Sequence, residues 1–212
     1  MKKQIIAEFL GTFFLVFVGT GAIIVNEITG SLTHIGVSLV FGLIVMALIY
    51  TLGHISGAHL NPVVTISFLV YGDFTIKDSI KYITAQILGA VAASSGLLFM
   101  FGNIANLGAT LPKNSWQQAF VLEFILTFLL VLVIMGSAVH GKAIKSFSGI
   151  AIGAAVALEA MFGGPISGAS MNPARSIGPA IVSGNINNLW IYIIATILGG
   201  IVATVVYKYI HE

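Results

Sequence analysis

Two phrases, SGAHLNPVV from Ser56 and SGASMNPAR from Ser167, set polar side chains in the middle of strongly apolar surroundings. Each contains an Asn followed by Pro: Asn61-Pro62 and Asn172-Pro173. Asn caps a helix N-terminus well, and Pro suits the first helical position, where no N–H is needed. Each pair therefore reads as the start of a helix whose positive dipole end faces the residues before it. Those residues, Gly57-Ala58-His59 and Gly168-Ala169-Ser170-Met171, are small or flexible enough to run extended and expose carbonyl oxygens. Arg175 follows three positions after Asn172 and shares its helical face, whereas the first phrase has Val64 at that place. The set offers hydrogen-bond donors, acceptors and one fixed positive charge to a small polar molecule. No serine–histidine or metal-ligand set lies within the apolar stretches, so the chain is not expected to be an enzyme or to hold a metal or cofactor. The chain has no cysteine, which excludes disulfides, thiolate metal sites and thiol nucleophiles.

The elements that must position these groups follow from composition. The 212-residue chain is 58% hydrophobic and 8% charged, against roughly 25% charged residues in a soluble domain. It could not wet its surface, so its partner is the lipid bilayer. A net charge of +2 is too small to argue for nucleic acid. Six stretches approach the ~20 residues needed to cross: about Ile5–Val25, Ile35–Leu52, Ile80–Met100, Ala119–Val139, Ile150–Phe162 with its flanks, and Leu189–Tyr207. The start, MKK before an apolar run, imitates a signal peptide, but Glu8 interrupts it. Two further segments, Asn61–Val70 and Asn172–Val182, are too short, because ten helical residues rise only ~15 Å. Lys2, Lys3, Lys77, Lys81, Lys142, Lys145 and Lys208 fall on one side of six crossings, and Lys113 falls on the other. The positive-inside rule makes the first side, and both termini, cytoplasmic.

The chain reads as one unit made twice. AEFLGTFFLVFVGTGA from Ala7 resembles LEFILTFLLVLVIMGSA from Leu122, and YITAQILGA from Tyr82 resembles YIIATILGG from Tyr192. Each half, about residues 1–105 and 115–212, holds three crossings and one short segment. Three is odd, so the second half enters the membrane inverted, and function is expected where the halves meet. The fold class is an all-α membrane protein of six transmembrane helices and two half-helices. Irregular backbone at membrane depth is tolerated where it lines a cavity, which predicts a polar, single-file path.

On these residues the chain resembles the aquaporin and glycerol-facilitator channels, the major intrinsic proteins. GPISGASMNPARS from Gly164 looks most like the nodulin-26-like branch. The resemblance covers essentially the whole chain. It implies a homotetramer in the cell membrane with a pore in each subunit, and a selectivity ring of Phe41, Ala160, Ala169 and Arg175. It also implies midplane motifs of Asn61, Pro62, Val63 and Asn172, Pro173, Ala174. The asparagine amides would donate to a passing oxygen, opposite an apolar wall of Leu60 and Met171, with path carbonyls from Gly57, Ala58, His59, Gly168, Ser170 and Met171. Glu8 and Glu123 would brace the two loops; a coupling-ion site is the competing reading. Strict water channels carry histidine where Ala160 stands, and two alanines leave a wider ring. The expected cargo is water and small uncharged solutes, polyols of the glycerol kind or neutral hydroxides. Two alternatives stay open: a strictly water-selective pore and an ion-coupled secondary transporter. Val63 departs from the usual alanine, and Ser176 stands where glycerol facilitators carry aspartate. For His59 the backbone carbonyl is expected to matter more than the ring, and Glu159 receives no role. Gly149 and Gly153 are expected to mark close helix packing.

Overall fold

The computed structural model describes residues 1–211 and contains, among them, helices and no strand. The six long helices are α1 (Lys2–Thr29), α2 (Thr33–Ser56), α4 (Ile76–Phe101), α5 (Trp116–Ile134), α6 (Ser148–Ser167) and α8 (Leu189–His211). All six are long and apolar enough to cross a membrane, α5 and α6 counted with their flanking turns. The two short helices are α3 (Pro62–Tyr71) and α7 (Pro173–Ser183).

Local signals set the ends. Thr75 caps α4 by accepting from Asp78 N–H, and Ser115 caps α5 by accepting from Gln118 N–H. The helices outrun the apolar stretches because polar residues continue helical geometry past the hydrocarbon. The fifth crossing departs most from its sequence reading: α6 runs through Pro165 to Ser167. Pro165 has no N–H to give the Met161 carbonyl. His34 Nε2 occupies that carbonyl instead, at 2.8 Å, and so removes one cost of a proline inside a helix.

The packing repeats between halves. α1 lies against α4 as α5 lies against α8, and each half-helix docks on the last helix of the other half, α3 on α8 and α7 on α4. A Cβ built at Gly89 would stand 2.4 Å from the Phe9 carbonyl, and one at Gly199 would stand 2.4 Å from the Phe124 carbonyl. Backbone contact this close is what lets four helices converge around two buried half-helices. Helices α2 and α6 meet across the middle, where a Cβ at Gly153 would stand 2.7 Å from the Gly42 carbonyl. A Cβ at Gly149 would stand 2.8 Å from the Tyr50 ring. The Gly149/Gly153 spacing thus serves helix packing inside this chain.

Candidate functional site

The two loops before the half-helices have one backbone shape. Gly57, Ala58 and Leu60 have φ of 84°, 48° and 52°, and Gly168, Ala169 and Met171 have 89°, 42° and 53°. Left-handed geometry at a non-glycine residue costs roughly 1–2 kcal/mol and persists only where the surroundings over-determine it. Two buried carboxylates supply that constraint. Glu8 accepts from the backbone N–H of His59 (2.9 Å) and Leu60 (2.8 Å), from Ser56 Oγ (2.7 Å) and from Gln86 Nε2 (2.7 Å). Glu123 accepts from the backbone N–H of Ser170 (2.9 Å) and Met171 (2.9 Å) and from Ser167 Oγ (2.7 Å). Tyr82 and Tyr192 complete the pair, donating to the carbonyls of Ser56 (3.0 Å) and Ser167 (2.7 Å).

With their N–H groups tied back, the loops leave several carbonyls free. Those of Gly57, Ala58, His59, Gly168, Ala169 and Ser170 accept no hydrogen bond from the described residues. The Met171 carbonyl is different, because Asn61 Nδ2 donates to it at 2.8 Å. Asn172 Nδ2 returns the bond to the Leu60 carbonyl at 2.9 Å. Both Oδ1 atoms face their own half-helix, Asn61 accepting from Val63 N–H (2.9 Å) and Asn172 from Ala174 N–H (3.0 Å). Each amide thus spends one hydrogen on clamping the halves and keeps one for the space between them. This narrows the expectation that the amides serve a passing molecule alone.

Two cavities approach this point from opposite ends. One, of about 380 Å³, runs past Tyr50, His54 and Lys145 to the asparagines, with Leu60 and Met171 in its wall. The other, of about 470 Å³, opens past Glu27, His34 and Lys113. Four residues line both: Phe41, Ala160, Ala169 and Arg175. Arg175 is 3% exposed, and its guanidinium sits 5.1 Å from the Phe41 ring centroid, an arrangement favourable for cation–π attraction. Among the described residues the one ion pair within 4 Å is Lys81–Asp78, so no carboxylate touches the Arg175 charge. Arg175 Nη1 donates to the Gly108 carbonyl at 2.7 Å, while Nε has no partner.

Several contributors to the site were missed by sequence reasoning. Gly108 ends a turn in which Ala105, Asn106 and Leu107 also take left-handed φ, near 50°. The turn is clasped to the end of α7 by Asn185 Nδ2 on Asn106 Oδ1 (3.1 Å). A loop rich in Asn and Gly was the only signal, and it does not name a partner 67 residues away. A second group sits behind the loops. Thr65 Oγ1 meets His59 Nδ1 at 3.1 Å, and at the matching place Ser176 Oγ meets Ser170 Oγ at 2.6 Å and Thr110 Oγ1 at 2.8 Å. Ser176 is buried and lines neither cavity, so its difference from aspartate acts on the loop and not on the lumen. The His59 ring is held too, stacked on Phe68 at 4.7 Å. Glu159 is buried beside Ala160 and also lines neither cavity.

The family model described as major intrinsic protein matches residues 1–207. The chain belongs to that family. It is 45% identical to the aquaporin NIP1-1 of Zea mays over 99% of its own length and 75% of the relative's. It is 44% identical to nodulin-26 of Glycine max, over 99% of this chain and 78% of that one. The aquaglyceroporin from Plasmodium falciparum superposes with a TM-score of 0.86 at 29% identity, covering 98% of this chain and 95% of that structure. This major intrinsic protein is a multi-pass membrane channel and not an enzyme.

Proposed function

We propose that water and small uncharged solutes pass through this channel along the two cavities, with Phe41, Ala160, Ala169 and Arg175 as the selectivity ring. One observation carries the reading: the cavities enter from opposite ends and share those four residues. A solute at the ring meets the Arg175 donors on one side, the free carbonyls of Gly168 and Ala169 beside them, and an apolar wall of Phe41 and Ala160 opposite. That combination suits a molecule with oxygens on one edge. A cation would lose its hydration and meet a guanidinium that no carboxylate touches. Past the ring, Asn61 and Asn172 each offer one remaining amide hydrogen, and the two half-helix N-termini add positive potential there. A water held by both asparagines accepts twice and cannot relay a proton onward. The alanines leave the ring open to glycerol-sized polyols and neutral hydroxides. Glu8 and Glu123 act as braces, since each accepts two loop N–H groups and its other donors are the side chains of Ser56 and Gln86 for Glu8 and of Ser167 for Glu123. The functional form is a homotetramer in the cell membrane, built of inverted halves of about 1–105 and 115–212, with both termini on the cytoplasmic side.

Stopped-flow light scattering of proteoliposomes tests this directly. Shrinkage under an impermeant osmolyte is expected to be fast, followed under glycerol by fast re-swelling. Fast shrinkage without re-swelling would make the pore water-selective; neither would remove the channel reading. Wild type has no thiol and is expected to ignore mercurials. Ala169→Cys is expected to become mercurial-sensitive and to recover with added thiol.

A further inference from the structure

Arg175 is the one arginine of the chain. Among the described residues its guanidinium has a single hydrogen-bond partner, the Gly108 carbonyl at 2.7 Å, while Nε is buried without one. One bond therefore sets how the guanidinium lies in the ring. The backbone that supplies it is strained. Ala105, Asn106 and Leu107 have φ/ψ of 48°/33°, 51°/34° and 55°/27°, three successive residues of left-handed helix, and Gly108 follows with φ 71°. Asn tolerates that geometry and glycine escapes its penalty, but the Cβ of a leucine crowds the carbonyl oxygen that follows it.

Burial of the Leu107 side chain offsets this cost. Leu107 is fully buried against Ile24 of α1 and Leu97 of α4, with Val182 of α7 packed on the same cluster. Next to it the turn rests on α1, where a Cβ at Gly108 would stand 2.8 Å from Thr20 Cβ. The bonds from the turn to the end of α7, Asn103 Nδ2 to the Ser183 carbonyl (3.3 Å) and Asn185 Nδ2 to Asn106 Oδ1 (3.1 Å), are exposed to competition from water. Leu107 is thus the anchor. It lines neither cavity, yet it holds the residue whose carbonyl meets Arg175.

We propose that Leu107 is a positioning residue for solute selection, acting through the Gly108 carbonyl on Arg175; the proposal rests on the selectivity ring described above. Seated between α1 and α4, Leu107 keeps the turn left-handed and the guanidinium turned toward Gly108. Without that side chain the turn relaxes toward right-handed geometry and the carbonyl leaves. The guanidinium then has the free carbonyls of Gly168 and Ala169 as acceptors in the same cavity. Turning to them carries it into the ring, which slows a glycerol-sized solute more than water.

Two measurements test this separately. Selective isotope labelling of arginine nitrogen reports Arg175 alone by magnetic resonance of the reconstituted protein. The wild type is expected to give separate signals for the two Nη groups, Leu107→Ala one averaged signal, and Leu107→Met, which keeps the buried bulk, separate signals again. In the stopped-flow assay glycerol permeability of Leu107→Ala is expected to fall about tenfold, the scale of one hydrogen bond to a charged group, and water permeability by less. In an Arg175→Val background the same substitution is expected to leave the glycerol-to-water ratio unchanged. Averaged Nη signals in the wild type, or separate ones in Leu107→Ala, overturn the proposal. Equal loss of both permeabilities, or a ratio that shifts as much without Arg175, shows a purely structural role and overturns it too. If Leu107→Ala does not fold, Leu107→Val, shorter and branched at Cβ against the left-handed turn, is read in the same way. A protein that conducts nothing yet loses its separate Nη signals in Leu107→Ala would remove the conduction path and leave the positioning of Arg175 standing.

Discussion

Arg175→Val is expected to leave water flux near the wild-type level while raising cation and proton leak by about a hundredfold. A unit charge ~5 Å from a guanidinium at an effective dielectric constant of ~20 meets about 3 kcal/mol of repulsion, or some two powers of ten. No carboxylate touches that charge, and its Nε is unpartnered. The half-helix dipoles remain in the variant and keep the leak below that of an open pore. The substitution also strands the Gly108 carbonyl, a cost of about 1–3 kcal/mol. Arg175→Lys separates the two effects, keeping the charge and weakening the hold on Gly108. Ion leak through proteoliposomes under a potassium diffusion potential measures the outcome; unchanged exclusion in Arg175→Val would take Arg175 out of the ring.

The second large effect concerns Val63, which replaces the family's usual alanine. Gly200→Ala alone is expected to destabilise the protein by about 1–3 kcal/mol, as overpacking does. Its Cβ would stand 2.3 Å from Val63 Cγ1 and 3.1 Å from Ser67 Oγ. The other half is arranged the opposite way. Ala174 matches Val63, Gly178 matches Ser67, and Ala90 matches Gly200. There the close approach runs from Gly178, whose Cβ would stand 2.6 Å from the Ala90 carbonyl. Large on the half-helix meets small on the long helix in one half, and small meets large in the other. Val63→Ala alone should cost about 1–3 kcal/mol through the space it empties. The double variant Val63→Ala/Gly200→Ala gives the new Cβ the space that the valine leaves, with Ser67 still in place, so its loss should fall short of the sum by about 1–2 kcal/mol. Thermal unfolding of the four proteins in one detergent reads this coupling. Additive losses would show that the two positions do not share their space.

Most of the architecture was legible along the chain. The crossings depend on apolar length, the half-helices on being too short, and their starts on Asn-Pro capping; each is decided within about twenty residues. The repeat added the pairing of Glu8 with Glu123 and of Tyr82 with Tyr192, because equal residues at equal offsets meet equal surroundings. Where the halves differ, that reasoning ended. Gln86 joins Glu8 and Thr65, while its counterpart Thr196 bonds only within its own helix.

Contacts between distant segments belonged to the tertiary structure alone. Packing brought the Gly108 carbonyl under Arg175, turned Ser176 away from the lumen, crossed the amides of Asn61 and Asn172 between loops, and buried Glu159 without a hydrogen-bond partner. Local preference sets where a helix begins and which residues are apolar. It does not set the rotation of one helix against another, and a rotation of one residue exchanges a lumen-facing methyl, Ala160, for a buried carboxyl, Glu159.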